Sequence, residues 1–188
     1  MYATAGQSYI KIFLLSVIFL LSLLRPALAE PLSPELQTKI EVYKKKLMEW
    51  AANPKLMAAV KESNVKGGLV AGMTNAKWDD LSEKDAVVLG FQNNEAGKIV
   101  SQLDQDSGIS KLYLRDEKAN LVASSSKPLL YNNSSKPWIA LPLKEGKPWS
   151  GTEIKPDPTT QIKGVHLTVP LLDSGKIIGL LHTSVIAD

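Results

Sequence analysis

Two histidines, His166 and His182, are the only imidazoles in the sequence, and both lie near its C-terminal end. They fall in apolar, β-branched runs separated by Asp173–Lys176, a turn-forming segment, so the pattern predicts a β-hairpin. Pairing across that turn puts His166 near Thr183 and His182 near Leu167, with an uncertainty of one residue. Whether the imidazoles share a face therefore stays open. A zinc site would need further ligands, so we expect pocket-lining or half-buried histidines, no metal and no cofactor.

A second group combines aromatic rings with cations. Tyr113 and Arg115 share one face of a predicted strand, because side chains alternate along a strand. Most of the others lie in or beside a long polar connection, residues 126–146. Rings exclude water, a cation neutralises a carboxylate, and a carboxylate accepts an ammonium group, so the group predicts a site for a small carboxylate or amino acid. The competing interpretation, in which the tryptophans fill the core and the charges are solvated, stays open. The predicted ligand-binding residues are Tyr113, Arg115, Tyr131, Lys136, Trp138, Trp149, Asp157, His166 and Thr168.

Catalytic motifs are missing from the sequence. It contains no Gly-x-Ser-x-Gly elbow, no phosphate-binding glycine loop and no His-Glu-x-x-His. Helix capping explains the acidic residues Asp79, Asp80, Asp104 and Asp106 without acid–base chemistry. With no cysteine there is neither a thiolate nucleophile nor a disulfide. We therefore expect no catalytic residues and a protein that is not an enzyme.

The N-terminal segment, residues 1–29, has the features of a signal peptide. Lys11 precedes an apolar run of about thirteen residues, which is shorter than the roughly 20 that a spanning helix needs. Arg25-Pro26 ends the run, and Ala27-Leu-Ala29 is a small-x-small cleavage site. We predict cleavage near Ala29–Glu30 and a periplasmic or secreted protein without stable membrane insertion. An uncleaved anchor is the alternative.

Removing that segment also removes most of the net charge. The full sequence has 22 basic and 19 acidic residues, a net of +3. Lys11 and Arg25 belong to the leader, so 20 basic and 19 acidic residues remain, a net of +1. A balanced charge gives no electrostatic reason to expect nucleic-acid binding.

The order of predicted elements indicates an α+β fold. Ser33-Pro34 is a helix start, and Asn53-Pro54 restarts the helix. One apolar stripe follows the first start at helical spacing: Leu36, Ile40, Tyr43, Leu47 and Trp50. From Ile109 the apolar period changes to two. Residues 30–188 are thus predicted to form one domain, mainly helical over 30–108 and mainly sheet over 109–188, with long N-terminal helices packed on a five-stranded antiparallel sheet.

Two strand–turn–strand segments resemble a known family. Lys111–Pro128 (KLYLRDEKANLVASSSKP) resembles the first hairpin of the PAS-like Cache, or PDC, extracellular sensor domains. Val169–Leu181 (VPLLDSGKIIGLL) resembles the closing hairpin of that family. Asp157-Pro-Thr-Thr160 sits where the family has an acidic turn, and Leu47–Asn64 resembles its N-terminal helical part. The resemblance covers essentially the whole chain after the leader.

The resemblance implies a sensor that binds small metabolites between its sheet and the connection. Amino-acid-binding members carry an Arg-x-Trp-Tyr-like motif in the connection, where this sequence has Lys136-Pro-Trp138-Ile139. Trp138 matches, but Lys136 keeps the charge without the planar fork of Arg, and Ile139 replaces an aromatic ring. Amino-acid specificity is therefore in doubt. The sequence shows no further membrane span or output domain, which suggests a free-standing periplasmic member.

The sequence thus predicts a ligand-binding sensor module that signals through a separate partner, such as a membrane receptor. A homodimer through the first helix is a further expectation. The alternative is a non-enzymatic protein–protein interaction domain whose pocket is filled by its own side chains.

Overall fold

The computed structural model describes residues 31–187. The predicted signal peptide lies outside the described residues, and the domain boundary at residue 30 stays a prediction. Within residues 31–187, no helix is both long enough and apolar enough to span a bilayer.

Six helices occur in the described chain, and the first two begin where the sequence predicts. The hydroxyl of Ser33 accepts a hydrogen bond from the Leu36 amide at 3.2 Å, and the side chain of Asn53 caps the next helix in the same way. The helices are α1 (Pro34–Ala51), α2 (Pro54–Lys66), α3 (Asn75–Asp79), α4 (Ala86–Asn93), α5 (Glu95–Leu103) and α6 (Pro137–Glu145). The last of these interrupts the predicted long connection.

The strands form one antiparallel sheet, so the predicted α+β class is confirmed. They are β1 (Ile109–Asp116), β2 (Leu121–Ser124), β3 (Trp149–Ser150), β4 (Lys155–Pro156), β5 (Lys163–Asp173) and β6 (Lys176–Ile186). Five strands follow the order β2-β1-β6-β5-β3, and β4 pairs with β5 outside that order. The sixth strand, β4, is not in the predicted set of five. It is only two residues long, so it leaves no alternating pattern to detect.

One face of the sheet, the helix face, carries the main core. Leu112, Leu114, Leu167 and Leu181 are fully buried there, and α1 and α2 pack against them. The predicted stripe of α1 supplies Leu36, Ile40 and Leu47 to this core. A homodimer through α1 stays a prediction, and it would use outward residues of the helix such as the half-exposed Val42 and Met48.

The opposite face, the cavity face, is covered by α6 and by the irregular chain between β2 and β5. Ile139 of α6 packs on Leu180 and Ala119. A separate aromatic cluster of Trp78, Phe91 and Tyr131 lies beside the β1–β2 hairpin. This irregular cover leaves space over part of the sheet.

A β-bulge in the closing hairpin decides which face the histidines occupy. Next to the turn, Leu172 pairs with Ile177, but Leu171 already pairs with Gly179. The extra residue shifts the register by one position, and such a shift moves side chains to the other face. His166 therefore pairs with Ser184, not with Thr183 as the sequence pattern predicts, and His182 pairs with Thr168, not with Leu167.

Candidate functional site

A cavity of about 440 Å³ lies on the cavity face, within the range typical of small-molecule sites. Its floor is formed by β1, β5 and β6, and its walls come from the connection, the start of α6 and the segment around β4. The alternative given above, in which the protein's own side chains fill the pocket, is therefore not favoured.

The strand register aligns the floor residues in one row. Tyr113 pairs with both Ser124 and His182, and His182 also pairs with Thr168. Directly opposed residues in an antiparallel sheet point to the same face, so these four side chains share the cavity face. Thr168 also pairs with Trp149 of β3, which extends the row to the edge of the sheet.

The two histidines contact each other directly. His166 Nδ1 and His182 Nε2 are 3.2 Å apart, at hydrogen-bonding distance. Burial lowers the pKa of His182 well below its ordinary value, with the neighbouring His166 adding to the effect. Burial also lowers the pKa of His166, and the charge of Lys155 lowers it further. A neutral pair satisfies this contact, because one ring donates and the other accepts.

Four rings lie in a continuous row along this floor. Trp138 lies parallel to His166, with ring centroids 4.6 Å apart and planes 6° apart. The centroids of His166 and His182 are 5.3 Å apart, so these two rings meet edge to edge through their nitrogens, and the centroids of His182 and Tyr113 are 6.0 Å apart.

Arg115 is a buried cation held by neutral groups. Its Nη1 donates to the carbonyls of Ala119 and Tyr131 at 3.0 and 2.7 Å, and its Nη2 donates to the carbonyl of Leu130 at 3.1 Å. Burial lowers its pKa to about 10. The side chain is 1% exposed, and its Nε–H has no hydrogen-bond partner. Arg115 thus fastens the β1–β2 turn to the connection while keeping one donor unused.

The charges around the cavity are mostly positive. Besides Arg115, four lysines line it: Lys111, Lys127, Lys136 and Lys155. The carboxylate that lines it, Asp157, accepts hydrogen bonds from Lys111 at 2.7 Å and from Thr159 and Thr160. Burial alone would raise the pKa of Asp157, but the hydrogen bonds from Lys111 and Thr159 hold it well below its usual range. Asp157 is therefore ionised and already paired.

Unpartnered buried polar atoms concentrate at this cavity. Four of the cavity-lining side chains each hold one: Arg115 Nε, Asn133 Oδ1, Trp138 Nε1 and His182 Nδ1. Two of these, the guanidinium Nε–H and the indole N–H, can only donate. Buried polar groups in folded proteins are normally hydrogen-bonded. These four atoms are themselves buried, so they form an incompletely hydrogen-bonded layer behind the cavity wall.

Six of the nine predicted binding residues line the cavity: Tyr113, Arg115, Lys136, Trp138, Asp157 and His166. The other three do not. Tyr131 packs in the aromatic cluster with Trp78 and Phe91, and its carbonyl serves Arg115. Thr168 is fully buried in the floor row, and Trp149 lines a smaller neighbouring cavity of about 190 Å³. That neighbour shares Trp138, Lys155 and His166 with the main cavity.

The sequence reasoning missed several lining residues. The sequence alone does not show whether His182 faces the cavity, because the bulge that turns it there has no clear sequence signal. Lys111 has a positive φ of 58° at an irregularity in β1, so strict alternation does not place it. Lys127 and Asn133 come from irregular chain and Lys155 from the two-residue strand β4, where only the tertiary structure fixes the direction of a side chain. Among residues 31–187, no group of three or more His, Asp or Glu side chains is arranged to hold a metal ion.

Comparison with other proteins gives matches by structure only. No protein-family model matches the sequence, and no curated protein is significantly similar to it in sequence. The chain is similar to the sensor domain of the V. cholerae histidine kinase DctB, with 17% identity, a TM-score of 0.43, and coverage of 81% of this chain and 57% of that one. It is also similar to the sensory domain of the Campylobacter jejuni chemoreceptor Tlp3 with isoleucine bound, with 15% identity and a TM-score of 0.41, covering 82% and 64%.

A third structure is an extracellular ligand binding receptor from Desulfohalobium retbaense, with 14% identity and a TM-score of 0.41, covering 83% of this chain and 26% of that one. The chain thus spans less than two thirds of the length of each of these three matches. They are sensor and ligand-binding domains, the class that the sequence motifs resemble. At these identities and scores, the likeness carries no argument about the ligand of this chain.

Proposed function

We propose that this chain is a sensor module that binds a small organic anion, a carboxylate in particular, in the 440 Å³ cavity on the cavity face. The observation that carries the proposal is the set of cations that line the cavity, Arg115 and four lysines, beside a single lining carboxylate that is already paired with Lys111. A carboxylate supplies two acceptor oxygens and a negative charge, which is what these groups lack.

The charge balance supports an anion. Five cationic side chains line the cavity, and Asp157 is already held by Lys111. A carboxylate held by charge-assisted hydrogen bonds gains more than a neutral acceptor does. Burial makes the guanidinium of Arg115 a particularly strong partner, because it has only neutral carbonyls at present.

The same balance separates a plain carboxylate from an amino acid. An ammonium group needs an acceptor, and Asp157 accepts from Lys111, Thr159 and Thr160 already. An amino-acid-like ligand would have to compete with Lys111 for that carboxylate. We therefore rank carboxylates without an ammonium group first and amino acids second.

The site suits an organic ligand more than an inorganic one. The rings of Trp138, His166, His182 and Tyr113 line one side of the cavity, so a ligand with an apolar body would bury that body against them. An inorganic anion such as sulfate would use the cations but leave that apolar surface exposed to water.

Compartment and output belong to the same proposal. We propose that the leader directs the protein to the periplasm or outside the cell and is cleaved near Ala29. Signalling would then require a separate protein, such as a membrane receptor that recognises the liganded form. That the protein has no catalytic activity stays a prediction. The two histidines contact each other in this structure, so those ring nitrogens are engaged with each other.

Thermal-shift screening tests this function. The full-length sequence is expressed, and the purified protein is screened against carboxylates, amino acids and amines of similar size. A ligand that binds only the folded state raises the melting temperature. We expect stabilisation by at least one carboxylate and none by the corresponding amine.

A matched pair of lysine variants locates the binding site. Lys136→Met removes a cation that lines the cavity, whereas Lys98→Met removes an exposed cation of α5, away from it. We expect the first to weaken carboxylate binding and the second to leave it unchanged. Equal stabilisation by carboxylates and amines, or equal effects of the two variants, would argue against the proposal.

A further inference from the structure

The histidine pair has a favourable hydrogen bond both when it is neutral and when it carries one additional proton. In the neutral pair, a single N–H lies between His166 Nδ1 and His182 Nε2, 3.2 Å apart. If His166 gains a proton, its Nδ1–H can donate to the neutral His182, so the contact becomes a charge-assisted hydrogen bond. His182 is 6% exposed and lies deeper in the sheet, which makes His166 the ring that takes the charge.

The surroundings of the pair oppose that charge when the cavity holds no anion. The titratable and charged groups around the pair come from β1, the segment before α6 and the chain around β4. They are Lys111, Tyr113, Arg115, Lys127, Lys136, Lys155 and Asp157 in the main cavity and Glu153 in the neighbouring one. Five of these eight are cations, and both carboxylates are already paired, Asp157 with Lys111 and Glu153 with Lys155. The pKa of His166 is lowered by burial and by Lys155, which agrees with this arrangement.

We propose that anion binding in this cavity is coupled to protonation of the His166–His182 pair, so that the site binds its ligand more tightly as the medium becomes more acidic. The inference rests on the proposed function, because it requires an anion in the cavity. A bound carboxylate cancels part of the surrounding positive charge, and this makes the imidazolium form of His166 more favourable.

The direction of the pH dependence follows from linkage. Anion binding raises the pKa of the pair, so between the free and bound pKa values the complex holds more protons than the free protein. Affinity therefore falls as the pH rises through that interval, and it is constant above and below it. A single proton limits the slope to about tenfold in affinity per pH unit.

Calorimetry with benzoate tests the coupling in the full-length protein. Benzoate stays ionised above pH 5.5, so its own titration does not contribute. Titrations at each pH from 5.5 to 8 are run in two buffers of different ionisation enthalpy, which gives the number of protons taken up. We expect uptake of up to one proton and an affinity that falls with rising pH.

His166→Gln keeps a hydrogen-bonding side chain but cannot titrate, so the variant should take up no proton on binding benzoate. Binding by the wild type that is independent of pH, without proton uptake, would overturn the inference.

A second measurement needs no ligand. Removing a cation should act like adding an anion, so Lys155→Met should raise the NMR titration midpoint of His166. The expected upward shift is at least about 0.3 pH unit. It is small because Lys155 is exposed, so that water and salt screen its charge. Lys98→Met is the control and should leave the midpoint unchanged. If no acid in the panel binds, the proposed function fails, and an unmoved His166 midpoint in Lys155→Met overturns the coupling independently.

Discussion

The two faces of the sheet are formed by the same strands but differ in composition. The helix face buries leucine and valine side chains against α1 and α2, and hydrocarbon side chains have no hydrogen bonds to satisfy. The cavity face carries aromatic rings, cations and several buried polar atoms without partners. Unsatisfied buried polar groups are unfavourable in a folded protein. Most of them lie on the cavity face, which indicates that stability comes mainly from the helix face and recognition from the cavity face.

The largest effect should come from opening the helix face. Leu167 is fully buried there, while its neighbours His166 and Thr168 point to the cavity face. Leu167→Ala is expected to lower the free energy of unfolding by about 2–5 kcal/mol, because it leaves a cavity in a packed core. Urea denaturation followed by circular dichroism measures this. Carboxylate affinity of the folded variant should be unchanged, and a large loss of affinity would show that the faces are not separable.

The division between a stabilising face and a binding face should not hold for Arg115, because this residue serves both stability and recognition. Arg115→Lys keeps the positive charge but cannot reproduce the fork that holds three carbonyls. We expect a loss of about 1–3 kcal/mol in the free energy of unfolding, since buried carbonyls lose donors. Carboxylate binding should weaken as well. A variant with full stability and full affinity would contradict both roles.

On the helix side, the acidic residue Asp106 gives a pH-dependent effect. Burial alone would raise its pKa, but the hydrogen bonds from Lys46 and Tyr43 lower it to about 2. Its contribution to stability is therefore present above the unfolded-state pKa of about 3.9 and is lost as the pH falls towards 2. Asp106→Asn should cost about 1–2 kcal/mol at pH 7, a modest value because the pair is partly exposed.

Urea titrations of both proteins at several pH values check this, and the difference between them should shrink steadily below pH 4. A difference that stays constant down to pH 2 would mean that ionisation of Asp106 does not matter. Ligand affinity should be the same in both proteins at pH 7, since Asp106 does not line the cavity.

The smallest effect is expected at Thr168 on the cavity face. Its hydroxyl is buried without a hydrogen-bond partner, so Thr168→Val removes an unsatisfied polar atom and keeps the shape. We expect a change within about 0.5 kcal/mol, and stabilisation is the expected sign. Ser63→Ala is the matched control, because the Ser63 hydroxyl donates to Asp116 at 2.8 Å and its loss should destabilise the fold. A strong destabilisation by Thr168→Val would show that its hydroxyl is satisfied in solution.

Local sequence signals were sufficient for much of the fold. Ser33 and Asn53 begin helices as predicted because capping depends on residues within one turn. The Ser174-Gly175 turn and its two strands were also predicted, because positive φ at Ser174 and Gly175 and apolar β-branched runs are local properties. Residues of the connection were harder to place. Lys136 and Trp138 reach the cavity, whereas Tyr131, only a few positions earlier, turns into the aromatic cluster.

The sequence by itself determined the first two helices, the five main strands and their order, the near-neutral charge after the leader, and the presence of a polar–aromatic group in and beside the connection. These follow from periodicity, capping and composition, which act over a few residues. Only the tertiary structure decided that His166 and His182 meet. One extra residue at the bulge shifts β6 by one position relative to β5, which brings the two histidines to the same face of the sheet. It also decided which cations converge, since Lys111, Lys127 and Lys155 are brought together by strand pairing and loop packing between residues distant in sequence.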